Sequence, residues 1–329
     1  MLFRTAIFSV MIGMSQAFTG SASTADVRQV DGEWTQRAPL PDERTEVSVT
    51  TDGTRIFLAG GFVRAGERRA DAPRAVYAYE PAADTWSHVT DLPEGVNHAG
   101  LVHLDGKLYV VGGYHENTFE PIDTLRIFDL ASQEWSTGPP LPSPRGAHAT
   151  AVLDGRIHAI GGRTHGRVDV DAHEAYDPES ESWISLAPLP TPRNHHAAAP
   201  IDGLIVVLAG RDDTSFELTV NEIYDPTTDA WRTGAPVPTG RSGVAAAVLG
   251  RHVYLFGGET FADPRRTFDE AERYDPQTDT WEALPAMPTA RHGLGAAAFG
   301  DAIYVISGGP DAGFAFSDRN ERLVPEDAP

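Results

Sequence analysis

One pattern recurs six times along this chain and limits what it can fold into. An apolar run ends in a glycine pair at Gly60-Gly61, Gly112-Gly113, Gly161-Gly162, Gly257-Gly258 and Gly308-Gly309. The fourth copy, Ala209-Gly210, keeps only the second glycine. A tryptophan follows at a similar offset, at Trp86, Trp135, Trp183, Trp231 and Trp281, whereas Trp34 lies before the first pair. Repeats of this kind stack on their neighbours, so the 329 residues are read as one body rather than two domains.

Residues 145 to 192 show the unit. Arg145 to Leu153 reads as a strand of small residues, and Asp154-Gly155 between apolar runs is a hairpin turn. Ile157 to Ile160 is a continuous apolar strand, as expected when both faces are covered. His173 to Tyr176 is a third strand, ended by the turn Asp177-Pro178-Glu179-Ser180, and Ser182 to Leu186 is a fourth. Pro190-Thr191-Pro192-Arg193 opens the next unit. The turn recurs at Asp52-Gly53, Asp105-Gly106 and Asp202-Gly203. The third-strand ending recurs at Tyr224-Asp225-Pro226 and Tyr274-Asp275-Pro276. Four short antiparallel strands per unit, with no helical period, describe one propeller blade.

Gly-Gly, Tyr-Asp-Pro, Trp and then Pro-x-x-Arg at this period resembles the kelch repeat, over essentially the whole chain after the leader. The expected fold is all-β: a six-bladed kelch-type β-propeller with four-stranded antiparallel blades. After Gly309 there is room for a third strand, Asn320 to Val324, but no tryptophan follows. The missing fourth strand is expected at Gly32 to Gln36, with Trp34, so the N-terminal strand closes the last blade and leaves no open edge.

The formal net charge of -21 argues against nucleic acid or an anionic membrane as a partner. The absence of cysteine excludes disulfides, thiolate nucleophiles and a Cys-ligated zinc. Arg4, the apolar run Ala6 to Phe18 and Ser23-Thr24-Ala25 read as a secretory signal over residues 1–25, which makes residues 26–329 a periplasmic or secreted propeller. No other segment is apolar enough to insert in a membrane, and a monomer is the default.

Chemistry belongs on the loops, because packing consumes the strands. In the kelch family two loop sets open on one face around the central channel, and ligand-binding members use both. The Pro-x-x-Arg set gives Arg44, Arg145, Arg193, Arg241 and Arg291; the second copy breaks the pattern with Val96, Asn97 and His98. The loops after the glycine pairs give Arg64, Tyr114, His115, Arg163, His165, Arg211, Asp212, Asp213 and Glu259. Converging guanidiniums suit capture of a carboxylate. The ligand-binding candidates are therefore Arg44, Arg145, Arg163, Arg193, Arg211, Arg241, Arg291, Asn97, Tyr114 and Glu259. Candidate acid–base groups are His98, His115, His165 and Asp212. Asp212 is singled out because it stands beside Asp213 and Arg211 outside the repeat. His195 and His292 also fall near this face, whereas His148 and His196 share one repeat position and read as packing residues.

Glu174, Glu222, Glu272 and Glu321 recur two residues before the third-strand tyrosine or its equivalent, and are expected to pair with arginines of an adjacent blade. No His-x-His or His-x-x-x-His pair is present, so no metal is assigned, and one would need ligands from separate blades. Plant kelch specifier proteins carry Glu-x-x-x-Asp-x-x-x-His; here Glu259, Asp263 and Thr267 lack the histidine. The copper radical oxidases of the kelch type need a cysteine that this chain lacks. No cofactor motif is present. Three functions remain open: binding of an acidic small molecule such as a sugar acid; cofactor-free epimerisation or mutarotation, as the resemblance to exported sialic acid epimerases implies; and a protein-interaction scaffold.

Overall fold

The computed structural model describes residues 27–64 and 70–328; the expected signal, residues 1–25, lies outside them. Each unit forms a four-stranded antiparallel sheet. Blade 3 runs Ala149–Leu153, Arg156–Ile160, His173–Asp177 and Ser182–Ser185, within one to four residues of the strands read from sequence. Its turn puts Asp154 at φ 51° and Gly155 at φ 73°, the two left-handed residues a type I′ hairpin requires. Asp105-Gly106 and Asp202-Gly203 do the same.

Gly32–Gln36 pairs antiparallel with Asn320–Pro325, Trp34 opposite Leu323, so the two chain ends share the sixth blade. The innermost strands of successive blades lie side by side, and Gly295–Phe299 returns to Ser48–Thr51, which closes the ring. Arg28–Gln29 adds a fifth, parallel strand to the outer edge of blade 5. No helix among the described residues is long and apolar enough to cross a membrane.

The repeated residues hold blade to blade. Each fourth-strand tryptophan of blades 1 to 5 lies opposite a third-strand aromatic, as in Tyr224 and Trp231 with ring centroids 5.1 Å apart. Its indole then donates to the end of the preceding blade: Trp231 Nε1 to Ala187 O at 2.8 Å, Trp281 Nε1 to Ala235 O at 2.9 Å. Trp34 follows the same rule with Pro285 O at 2.9 Å, which makes it the sixth blade's tryptophan.

The glycine pair needs one correction. The second glycine is obligatory: at Gly61, φ is 87° and a Cβ would lie 2.4 Å from Thr45 O. The first position tolerates a side chain, and Ala209 takes it at φ 60°. In blade 6 that position is Ser307, φ 62°, and the second glycine is Gly308. Gly309 is thus the first loop residue, equivalent to Arg163, and not part of the pair.

Candidate functional site

The repeated arginines do not reach the channel mouth, which corrects their assignment as ligand-binding residues. Arg44, Arg145, Arg193, Arg241 and Arg291 are fully buried. Arg193 donates to Glu222 Oε2 at 2.5 Å, Thr191 O at 2.9 Å and Val207 O at 3.1 Å. Arg241 and Arg291 reach Glu272 and Glu321 at 2.6 Å, and Arg145 pairs with Glu174. Each of these pairs sits within one blade, joining its entry loop to its third strand, and not between adjacent blades as expected. Arg44 uses Asp42 instead, at 2.6 Å. Blade 2 inverts the pair: Glu94 on the entry loop accepts from Arg126 on the third strand at 2.5 Å.

What reaches the channel is the second residue after each of these arginines, and after Val96 in blade 2. Glu46, His98, Ala147, His195, Gly243 and Gly293 take equivalent places, all left-handed, with φ from 51° to 67°. Their backbones form a chain of hydrogen bonds round the axis. Ala147 N bonds His98 O, His195 N bonds Ala147 O, Gly243 N bonds His195 O and Gly293 N bonds Gly243 O, each at 2.9 Å. Two blades use glycine, the residue that favours this conformation. Three place an ionisable side chain there at a cost of about 1 kcal/mol or more each, and such strain collects at functional sites.

Above this ring lies a cavity of about 280 Å³. One wall is aromatic: Phe62, Phe119 and Phe314 stand with centroids 5.6 to 6.5 Å apart, and Tyr114 lies 5.5 Å from Phe119. Phe119 and Phe314 are 49% and 66% exposed, unusual for side chains of that size. The lining also carries Arg163, His165 and Arg167, with His165 Nδ1 3.2 Å from Glu120, the neighbour of Phe119. Arg163 gives Nε and Nη2 to Asp169 and Nη2 to Asp213, leaving Nη1 without a partner among the described residues. Arg167 is exposed and has no salt-bridge partner among them.

The floor is a polar network. Arg211 Nη1 donates to Glu259 Oε1 and Nη2 to His195 Nε2, both at 2.8 Å. His98 Nε2 lies 3.3 Å from Glu46 Oε2, and His292 Nε2 lies 3.6 Å from both Glu46 Oε1 and Glu259 Oε2. Burial holds His98 below the ordinary imidazole range despite the opposing charge of Glu46. At His195 burial acts the same way and Arg211 adds to it. Burial raises the Tyr114 phenol to about 12, so it remains a neutral hydroxyl.

Of the residues picked from sequence, His98, Tyr114, Arg163, His165, Arg211 and Glu259 line this cavity. Asn97 is buried beneath it and orients His98 rather than facing a ligand. His115 points aside toward Glu94, 3.7 Å away. Asp212 is corrected as an acid–base group: partial burial opposes ionisation, but the Thr214 hydroxyl and the Thr214 and Ser215 amides outweigh it and hold the carboxyl below its usual range. It is a turn-forming anion that does not line the cavity. Phe62, Phe119, Phe314, Glu46 and Arg167 were missed. Glu46 had a readable signal, since it fills the ring position of His98 and His195. The phenylalanines lie on loops without a repeat partner.

The sequence matches a family model described as the KLHDC2/KLHL20/DRC7 Kelch-repeats domain over residues 23–189, and the Kelch motif over 192–238 and 240–288. Curated relatives include kelch-like protein terF of Aspergillus terreus, 30% identical over 148 residues, covering 43% of this chain and 32% of that protein. Beta-scruin of Limulus polyphemus is 31% identical over 144 residues, 42% of this chain and 15% of that one. Human kelch-like protein 33 is 30% identical over 134 residues, 40% and 24% of the two chains. The matches thus span a third or less of these relatives. The solved structure of YjhT superposes with a TM-score of 0.73 over 86% of this chain and 95% of that one, at 15% identity, a likeness of fold alone.

Proposed function

The chain belongs to the kelch-repeat β-propeller family, and we propose that its channel mouth binds an acidic, ring-bearing small molecule of the sugar-acid class, in an exported protein. Kelch propellers are consistent with a protein-interaction scaffold, and that frame is common to all these readings. The observation that favours a small acid is one cavity lined by both an aromatic face and guanidinium groups. An aromatic face of Phe62, Phe119 and Phe314 shares the cavity with Arg163 and Arg167, which keep guanidinium donors without a partner among the described residues. Apolar ring faces pack on aromatic side chains, and a carboxylate takes charge-assisted bonds from guanidinium. Glu46, Glu259 and the imidazoles below supply partners for hydroxyl groups.

The first residues, Arg4, Ala6 to Phe18 and Ser23 to Ala25, support the export part of the reading. A second reading, cofactor-free anomer exchange, draws on one specific feature: neutral His98 stands beside Glu46 at the cavity floor, where a sugar ring oxygen or hydroxyl would rest.

Thermal melting against paired sugars tests the binding. N-acetylneuraminate and hexuronates are expected to raise the melting temperature, and their neutral counterparts to leave it unchanged. At a hundredfold excess over Kd the gain is about 2.7 kcal/mol. Arg167→Ala should remove the shift without altering the ligand-free melting point. If no acid in the panel shifts the melt, the small-acid reading fails and the scaffold reading stands in its place. Faster anomer exchange by NMR in the presence of the protein is expected only under the second reading.

A further inference from the structure

The tautomers of three histidines on the cavity floor are fixed by their neighbours. Asn97 Nδ2 donates to the carbonyls of Glu116 and Thr118 at 2.6 and 3.2 Å, so its Oδ1 faces His98 Nδ1 at 2.5 Å. An amide oxygen only accepts, so the proton sits on Nδ1. Asn194 is held by Asp169 Oδ1 at 2.5 Å and treats His195 the same way. His292 Nδ1 donates to Gly309 O at 3.1 Å. In all three rings the inward Nε2 carries the lone pair. An Nδ1–H bonded to a carbonyl oxygen is the outer-shell arrangement that orients metal-ligating imidazoles.

The partners of these lone pairs differ. His195 Nε2 accepts from Arg211. His98 and His292 face carboxylate oxygens, which are also acceptors; Glu259 Oε2 accepts from Gly313 N at 2.8 Å, but neither imidazole Nε2 receives a donor among the described residues. His292 is fully buried, and its Nε2 has no hydrogen-bond partner among the described residues, although it points at Glu46 and Glu259. An orphaned buried nitrogen aimed at two carboxylates is destabilising unless a positive species stands between them. The donor atoms of Glu46, Glu259 and His292 lie within 4.8 Å of one another, close enough to share one ion.

We propose that Glu46, Glu259 and His292 hold a first-row divalent metal at the floor of the channel, with His98 against the far oxygen of Glu46. Imidazole with carboxylate suits Zn²⁺, Co²⁺, Ni²⁺ or Fe²⁺. The ligands come from blades 1, 5 and 6, spread so widely along the chain that no short sequence spacing announces them. Glu46 and Glu259 also line the cavity, so open coordination positions would face whatever enters the mouth. The ion does not depend on the acidic-ligand reading, and either can fail alone.

The test uses full-length protein stripped with a chelator and then titrated with Zn²⁺ by calorimetry and with Co²⁺ by visible absorption. The expected result is one equivalent bound at micromolar strength or tighter, with a cobalt spectrum of nitrogen and oxygen ligation. Glu46→Gln and His292→Gln, each shown folded by circular dichroism, should weaken binding at least tenfold. His88→Gln should not, because His88 and Asp91 form a separate surface pair. Failure of the wild type to bind at millimolar metal overturns the proposal. Binding of undiminished strength in either folded variant overturns it as well.

Discussion

Glu222→Ala is expected to lower the stability of the whole propeller by about 3–5 kcal/mol, the usual cost of removing one partner from a buried ion pair. Arg193 is fully buried and cannot follow its lost partner to solvent. Burial already pushes its guanidinium below the ordinary value, with Glu222 opposing that shift. Its Nε has no acceptor among the described residues, so the remaining bonds to Thr191 O and Val207 O would carry an uncompensated charge. Replacing both members, Arg193→Met with Glu222→Leu, should recover most of the loss, because the penalty comes from the orphaned charge and not from the missing attraction. Glu282→Ala, which breaks the exposed pair with Arg28 at 3.1 Å but also one with Arg273, is a poorer control than Asp301→Ala. Asp301 meets Arg322 at the surface, 3.0 Å away, and should contribute about 0–1 kcal/mol. Urea midpoints for these variants decide the matter. A Glu222→Ala midpoint equal to wild type would show that the recurring pairs are not what locks each entry loop to its blade.

Acid should unfold the protein well before its carboxylates titrate. Burial holds His148 and His173 at about 3 and His158 at about 4, and keeps His196 well below the ordinary value. Arg145 adds to the shift at His148, and at His173 the neighbouring His158, 2.9 Å away, does the same. In the unfolded chain these imidazoles titrate near 6.5. Below that pH the unfolded state binds protons that the folded state refuses, so stability falls as pH drops and levels off only at the folded values. Each imidazole costs about 1.4 kcal/mol per pH unit in that window, or about 2 kcal/mol at pH 5. His148, His158 and His173 together lose about 6 kcal/mol between pH 6.5 and 5, a large part of any domain's stability. Urea midpoints at half-unit intervals should therefore decline from pH 6.5 downward, and His148→Gln should flatten the slope. A level profile from pH 7 to 5 would mean that these rings accept protons in place.

The fold was legible because the period is long, the punctuation is strong and Trp34 is out of sequence with the other tryptophans. Its placement opposite Leu323 is the closure that the missing sixth tryptophan called for. The site was legible only in part, for a physical reason. A residue repeated in nearly every blade is first a blade residue, and the Pro-x-x-Arg arginines have the same buried geometry in blades 3 to 6. Their partners Glu174, Glu222, Glu272 and Glu321 recur in step with them, and that covariation along one chain was the clue to burial. Departures from the repeat were the better guide: Val96-Asn97-His98 led to His98, and Arg163 and Arg211 led to the mouth. Phe119 and Phe314 gave no signal, because the loops that carry them have no counterpart in other blades. The slip at Gly309 arose because Ser307 replaces the first glycine and moves the apparent pair by one residue.

The most direct measurement is a crystal structure grown with the acid that gives the largest thermal shift. The acid's ring is expected against Phe119 and Phe314, and its carboxylate within hydrogen-bond distance of Arg163 Nη1 and the Arg167 guanidinium. Density for the acid on a blade rim or the opposite face of the propeller, with the mouth holding only water, would contradict it.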